Sequence, residues 1–134
     1  EAKKANDAFD AATSPEAVQP KEEEGTKAIA ADALDAAKQD AKNKIAKDVE
    51  AANAAIESNP NLTKDEIDAA KAAVADEAKK ANDAIDAATT PEAVQAKEEE
   101  GTKAIAADVL DAAKQDAKNK IAKDVEAANA AIES

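Results

Sequence analysis

Few side chains in this sequence could do chemistry, and acids are the most frequent among them. Glu98, Glu99 and Glu100 stand in a row and offer six carboxylate oxygens, the donor type that calcium prefers. Calcium sites also draw on loop carbonyls, and a run of acids within helix-forming sequence has its carbonyls already engaged. A solvated acidic face is therefore the ordinary reading of this run. Asn61-Leu62-Thr63 spells a glycosylation acceptor, but the same residues also spell the start of a helix. The stretch "AKQDAKNKIAK" could meet an anionic polymer. It reads more simply as charge pairing at i,i+4 along a helix, for example Asp116 with Lys120. Pairs of carboxylates for acid–base work can be drawn in many places in so acidic a chain, and none comes with the sign of a pocket.

What is missing narrows the chemistry further. The 134 residues include no Cys, His, Met, Trp, Tyr or Arg, and all 18 basic residues are Lys. No thiol or imidazole is present to ligate zinc, copper or iron, so no metal and no cofactor is expected. No Ser–His or Cys–His pair can form, so no enzyme is expected. The side chains that dominate binding hot spots are absent as well. Net charge is −12, with both signs mixed along the chain. That balance gives nucleic acid no basic patch and no aromatic platform. No apolar run approaches the length needed to cross or insert into a membrane. Absence of Cys suits a secreted bacterial protein as well as a cytosolic one.

The elements that would hold these residues are legible. Alanine supplies 41 residues, against 17 Val, Ile and Leu and the single Phe9. Alanine is the best helix former and contributes little core, so helices joined by thin seams are expected. Residues 1–58 recur as 77–134, at an offset of 76. They differ at four positions: Phe9/Ile85, Ser14/Thr90, Pro20/Ala96 and Ala33/Val109. Such a period marks a tandem array. The sequence starts within the period and is expected to be a piece of a longer array.

Helix limits follow from capping chemistry. In "NPNLTKDEI", Pro60 stops the preceding helix. Thr63 and Glu66 form a capping box, with Leu62 and Ile67 placed as a hydrophobic staple. Thr90 caps the next helix and Pro91 takes its first position; Ser14 and Pro15 repeat this one period earlier. Acids at Asp65, Glu66 and Glu92 suit the helix dipole. Between these signals Ile67, Val74 and Ile85 follow helical spacing, and so do Val94, Ile105 and Val109, continuing to Ile121, Val125 and Ile132. The earlier copy carries Ile45, Val49 and Ile56.

Gly25 and Gly101 interrupt the long runs in the twin stretch "KEEEGTKAIA". Three readings are open: a helix end, a new start capped by Thr102, or an unbroken helix. The preceding glutamates carry the wrong charge for a last turn. A mid-helix glycine costs only about 1 kcal/mol relative to alanine. An unbroken helix from Pro91 to near Ser134, with a twin from Pro15 to near Ser58, is the favoured expectation. Each would be about 65 Å long.

A lone Ala-rich helix needs partners for its stripe. The expected architecture is all-α: tandem three-helix bundles joined by long shared continuous helices, a spectrin-like elongated rod. One bundle would be complete over residues 31–110, built from 31–58, 63–89 and 91–110. Residues 1–30 would close a preceding bundle, and 111–134 would open the following one. Phe9, Val18 and Ile29 at one end, and Ile121, Val125 and Ile132 at the other, would then lack cover. Head-to-tail self-association could supply it.

"LTKDEIDAAKAAVADEAKKANDAIDAATTPEAVQAKEEEGTKAI" resembles the Ala/Lys/Asp-rich helical tandem repeats of giant Gram-positive cell-surface proteins. The type is the extracellular matrix-binding protein of staphylococci, related cocci and lactobacilli. The likeness lies in N-P-N-L-T before an acidic helix start, A-K-x-x-V, A-I-D-A-A-T-T and a later G-x-x-A-I. It implies an extracellular, cell-wall-attached protein with many repeats between a distal functional region and a wall anchor. The role implied is a stalk holding an adhesin away from the wall. Adhesion to host matrix protein, or homophilic contact in aggregation or biofilm, is the alternative. The resemblance carries over no binding residue.

Overall fold

The computed structural model describes residues 15–134, with side chains from Glu24 onward. Phe9 and the Ser14 cap fall outside the described residues, as does the Val18 side chain. Three helices make up the fold: α1 (Pro15–Glu57), α2 (Lys64–Ala87) and α3 (Pro91–Glu133). No strand occurs among the described residues. Each helix packs on the other two, so the chain is all-α and forms a three-helix bundle.

The glycine question resolves as continuity. Gly25 and Gly101 lie inside α1 and α3, each 43 residues long, and neither glycine has a positive φ. Thr102 is not an N-cap; it sits one residue beyond Gly101 in mid-helix. Helix α2 is 24 residues long, and the two turns at its ends are short. It therefore runs back along α1, and α3 runs parallel to α1.

Pro60 ends α1 as expected, and the side chain of Asn59 completes the stop. Its Nδ2 donates to the carbonyls of Ala55 (3.1 Å) and Ile56 (3.2 Å), two of the orphan acceptors of the last turn. Thr63 begins α2 with a full capping box. Its Oγ1 accepts from Glu66 N at 3.1 Å, while Glu66 Oε1 accepts from Thr63 N at 2.9 Å. Thr90 Oγ1 accepts from Ala93 N at 3.1 Å, with Pro91 in the first turn. Helix α2 has no basic residue of its own in its last turn. Lys38 of α1 supplies one, donating to the Asp86 carbonyl at 2.8 Å, and Lys42 pairs with the Asp86 carboxylate.

The core is a narrow seam. Ile45, Ile56, Val74 and Ile85 are its largest fully buried side chains; Val94 and Ile105 join them, with Ala41, Ala52, Ala81 and Ala112 between. Leu62, Ile67, Val49 and Val109 pack half-buried against it. The fully buried part of the seam runs from Ala41 to Ala112. No polar side chain among the described residues is fully buried.

Register between the long helices fixes the shape. Thr102 bonds Asp48, and Gly101 faces Ile45, so each residue of α1 lies beside one 54 to 56 positions on in α3. The repeat offset is 76. Helix α3 therefore leads its twin by about 21 residues, or about 30 Å at 1.5 Å per residue. The two long helices overlap through the bundle, and each extends beyond it at one end.

Candidate functional site

Two places in the fold are built with more care than packing alone requires. They are the crossing of the three helices at Gly101 and the junction where α3 leaves the bundle.

At the crossing, a Cβ added to Gly101 would stand 2.5 Å from Ala81 Cβ and 2.9 Å from Ile45 Cδ1. Glycine there lets α2 and α3 approach at backbone distance over a floor of isoleucine. Thr102 then donates to Asp48 Oδ2 at 2.6 Å, and Lys44 Nζ binds Asp48 Oδ1 at 2.7 Å. Partial burial alone would raise the Asp48 carboxyl, but these two donors outweigh it and hold it below the usual carboxylate range.

At the junction, the turn between α1 and α2 is tied to α3. Asn61 N donates to Asp116 Oδ1 at 2.6 Å. Asn119 Nδ2 donates to the Asn61 carbonyl (2.9 Å) and to Glu66 Oε1 (2.7 Å). Lys123 Nζ reaches Asn61 Oδ1 at 3.2 Å. The capping carboxylate thus serves its own helix and the neighbouring one. Bonds from Thr63 N and then from Asn119 lower the Glu66 pKa. Sequence reasoning missed this network. Asp116 does not pair with Lys120, which binds Asp124 Oδ2 at 3.0 Å. The backbone N–H of a distant turn takes Asp116 instead.

Beyond the junction, residues 120–134 are exposed throughout. Here the repeat is informative. Ile45 is 1% exposed and Ile56 0%; their twins Ile121 and Ile132 are 62% and 81% exposed. Half-buried Val49 has its exposed twin in Val125, and half-buried Leu34 has its own in Leu110. At the other end, Ile105 is 3% exposed and its twin Ile29 is 48% exposed. Every exposed large hydrophobic residue among those described has a twin that is covered. Gly25, twin of the buried Gly101, is itself buried.

The residues singled out for chemistry are spent on local structure. Glu99 accepts from Gln95 (3.3 Å), and Glu100 pairs with Lys97 (3.4 Å). Among the described residues no cluster of three or more acids is arranged to hold a metal. No described helix is long and apolar enough to cross a membrane. Among the described residues Asp108 is the one carboxyl whose pKa rises. Burial is the chief cause, with the charges of Glu77 and Asp111 adding to it.

A family model described as a domain of unknown function, DUF1542, matches residues 37–113, more than half of the chain. The match coincides closely with the buried seam, from Ala41 to Ala112. No curated protein and no solved structure matches the chain.

Proposed function

The chain belongs to the DUF1542 family, and from that premise we propose that it is a non-enzymatic spacer repeat of a bacterial surface protein. It acts as a stiff stalk that projects a distal binding region from the cell wall. One observation carries this reading. The two 43-residue helices pass without a break through their glycines, from inside the bundle to beyond it. A helix shared by consecutive bundles leaves no linker to flex between them. The period then advances the rod by about 30 Å, the lead of α3 over α1.

The surface is also what a spacer needs. It is acidic and mixed in sign, with exposed ion pairs such as Lys64–Asp68 and Lys79–Asp83 that serve solubility more than stability. The side chains that build binding hot spots are missing from the chain.

Small-angle X-ray scattering on arrays of two, three and four periods tests the proposal. A maximum dimension that grows by a constant increment of about 30 Å per period is expected. Growth closer to the square root of period number would identify jointed beads and overturn the stalk.

A further inference from the structure

We infer that the polar junction is a coupling device: it ties the closed first turn of α2 to the helical state of α3 where that helix leaves the bundle, and so links one bundle to the next. The inference rests on the reading of the chain as part of an array with shared helices. Past Ala112, the last buried residue, the half-buried residues of α3 are Gln115, Asp116 and Asn119, and all three are polar. Hydrogen bonds, not an apolar seam, hold the helix there. Asn61, in the turn between α1 and α2, gives all of its bonding groups to α3. Its N–H and Nδ2 donate to Asp116 (2.6 and 3.5 Å), its carbonyl accepts from Asn119 (2.9 Å), and its Oδ1 accepts from Lys123 (3.2 Å). Gln115 Nε2 donates to Asn119 Oδ1 at 2.9 Å, which fixes the Asn119 amide with its nitrogen toward the turn. That nitrogen also donates to Glu66 Oε1 at 2.7 Å, the same oxygen that accepts from Thr63 N. The capping box of α2 thus closes on an oxygen shared with α3.

The same short stretch of α3 has a second task, which its twin shows. In residues 39–47, identical to 115–123, Ala41 and Ile45 are buried in the seam, whereas Asp40, Asn43 and Lys47 are exposed. Seam and junction therefore use different faces of one stretch and do not compete for it. In an array, residues 115–123 fasten the cap of one bundle through Asp116, Asn119 and Lys123, while Ala117 and Ile121 begin the seam of the next. Fraying of that stretch withdraws the partners of Asn61 and Glu66, and opening of the turn removes the bonds that hold the stretch. Coupling of this kind is reciprocal. Loss of one cap then weakens the next seam, so neighbouring bundles open together rather than one at a time.

Amide hydrogen exchange, followed residue by residue by NMR on the whole dilute chain, tests this from both sides. Ala122→Gly changes an exposed side chain beyond the seam and loosens the exit helix. The Glu66 and Ile67 N–H groups, both bonded to Thr63, should then exchange about threefold to fivefold faster, with Ile85 unchanged. From the other side, Asn119→Ala puts a better helix former into α3, so propensity alone slows exchange over 116–123. Coupling predicts the opposite sign, exchange faster by about fivefold, the factor of one net hydrogen bond. In the double variant Glu66 and Ile67 should respond no further to Ala122→Gly. Unchanged exchange at Glu66 and Ile67 in Ala122→Gly overturns the inference. So does unchanged or slower exchange over 116–123 in Asn119→Ala, a double variant whose effects simply add, or a wild-type exit stretch that exchanges at the free-coil rate. The rod length measured by scattering does not depend on these bonds, so failure here leaves the stalk standing.

Discussion

Ile45 and Ile121 occupy the same place in identical 21-residue stretches, yet one is sealed in the core and the other stands in solvent. Local sequence cannot account for the difference. Ile45 faces Gly101 across α3 and has α2 behind it, whereas Ile121 lies past the point where those partners end.

A pair of truncations reads this directly. Ile45→Ala should cost about 2–5 kcal/mol, the usual range for emptying a well-packed core site. Ile121→Ala should change dilute-solution stability by less than about 0.5 kcal/mol. Chemical denaturation monitored by circular dichroism checks both. Equal losses would mean that the two positions are packed alike.

Gly101→Ala has a sign that helix propensity gets wrong. Alanine should gain about 1 kcal/mol in a helix interior. The added methyl would meet Ala81 Cβ at 2.5 Å, so α2 and α3 must separate. A net loss of about 1–3 kcal/mol is expected. Combining the change with Ala81→Gly should restore part of that loss, and thermal melts of the single and double variants measure it.

The junction gives a third comparison. Asn119→Ala removes the donor shared by the Asn61 carbonyl and Glu66. A loss of about 1–2 kcal/mol is expected, close to that from Thr63→Ala at the cap itself. Hydrogen exchange should show faster opening of the first turn of α2 in both variants, with Ile85 and its neighbours still protected.

Acid should act in two directions. The Asp48 and Glu66 carboxyls are held below their ordinary values, so their stabilising contribution is present above the unfolded carboxylate range. It is lost as the pH falls through their lowered folded values. Asp108 is raised, so protonating it favours the folded chain as the pH falls through that raised value toward the ordinary carboxylate range. The contribution of these three groups should therefore peak around the ordinary carboxylate range, below the raised Asp108 value and above the lowered values of Asp48 and Glu66. Asp108→Asn should raise the melting temperature at pH 7 and flatten the rise toward that peak. Asp48→Asn should reduce the loss at lower pH. Melting curves across pH on the three chains check each sign.

The helix boundaries were readable because capping is local. Thr63 and Glu66, Thr90 and Pro91, and the stop at Pro60 each need only neighbours within four residues. The seam was readable from the spacing of Ile45, Val74, Ile85, Val94 and Ile105. Gly101 was harder. Its place in an unbroken helix is set by Ala81 and Ile45, which lie 20 and 56 residues away. Asp116 was misassigned to Lys120 for the same reason, since its real partner is 55 residues off. The unbroken helix at Gly101 was the favoured reading and stands, but the contacts that set it, like the partner of Asp116, are tertiary and no helical periodicity encodes them.

The reversal of α2 has a mechanical consequence. Each period runs forward along one long helix and doubles back along a shorter one, so its 76 residues advance only about 30 Å. Drawn out fully at about 3.5 Å per residue, the same period would span about 260 Å. In the proposed array, a pull on the ends would work against α2 first, because it alone would point against the force. Its thin seam resists, together with the bonds that tie Asn61, Glu66 and Asp86 to the long helices. Under tension the rod would act as a stored length of tether, paying out when a bundle opens and shortening again when it refolds.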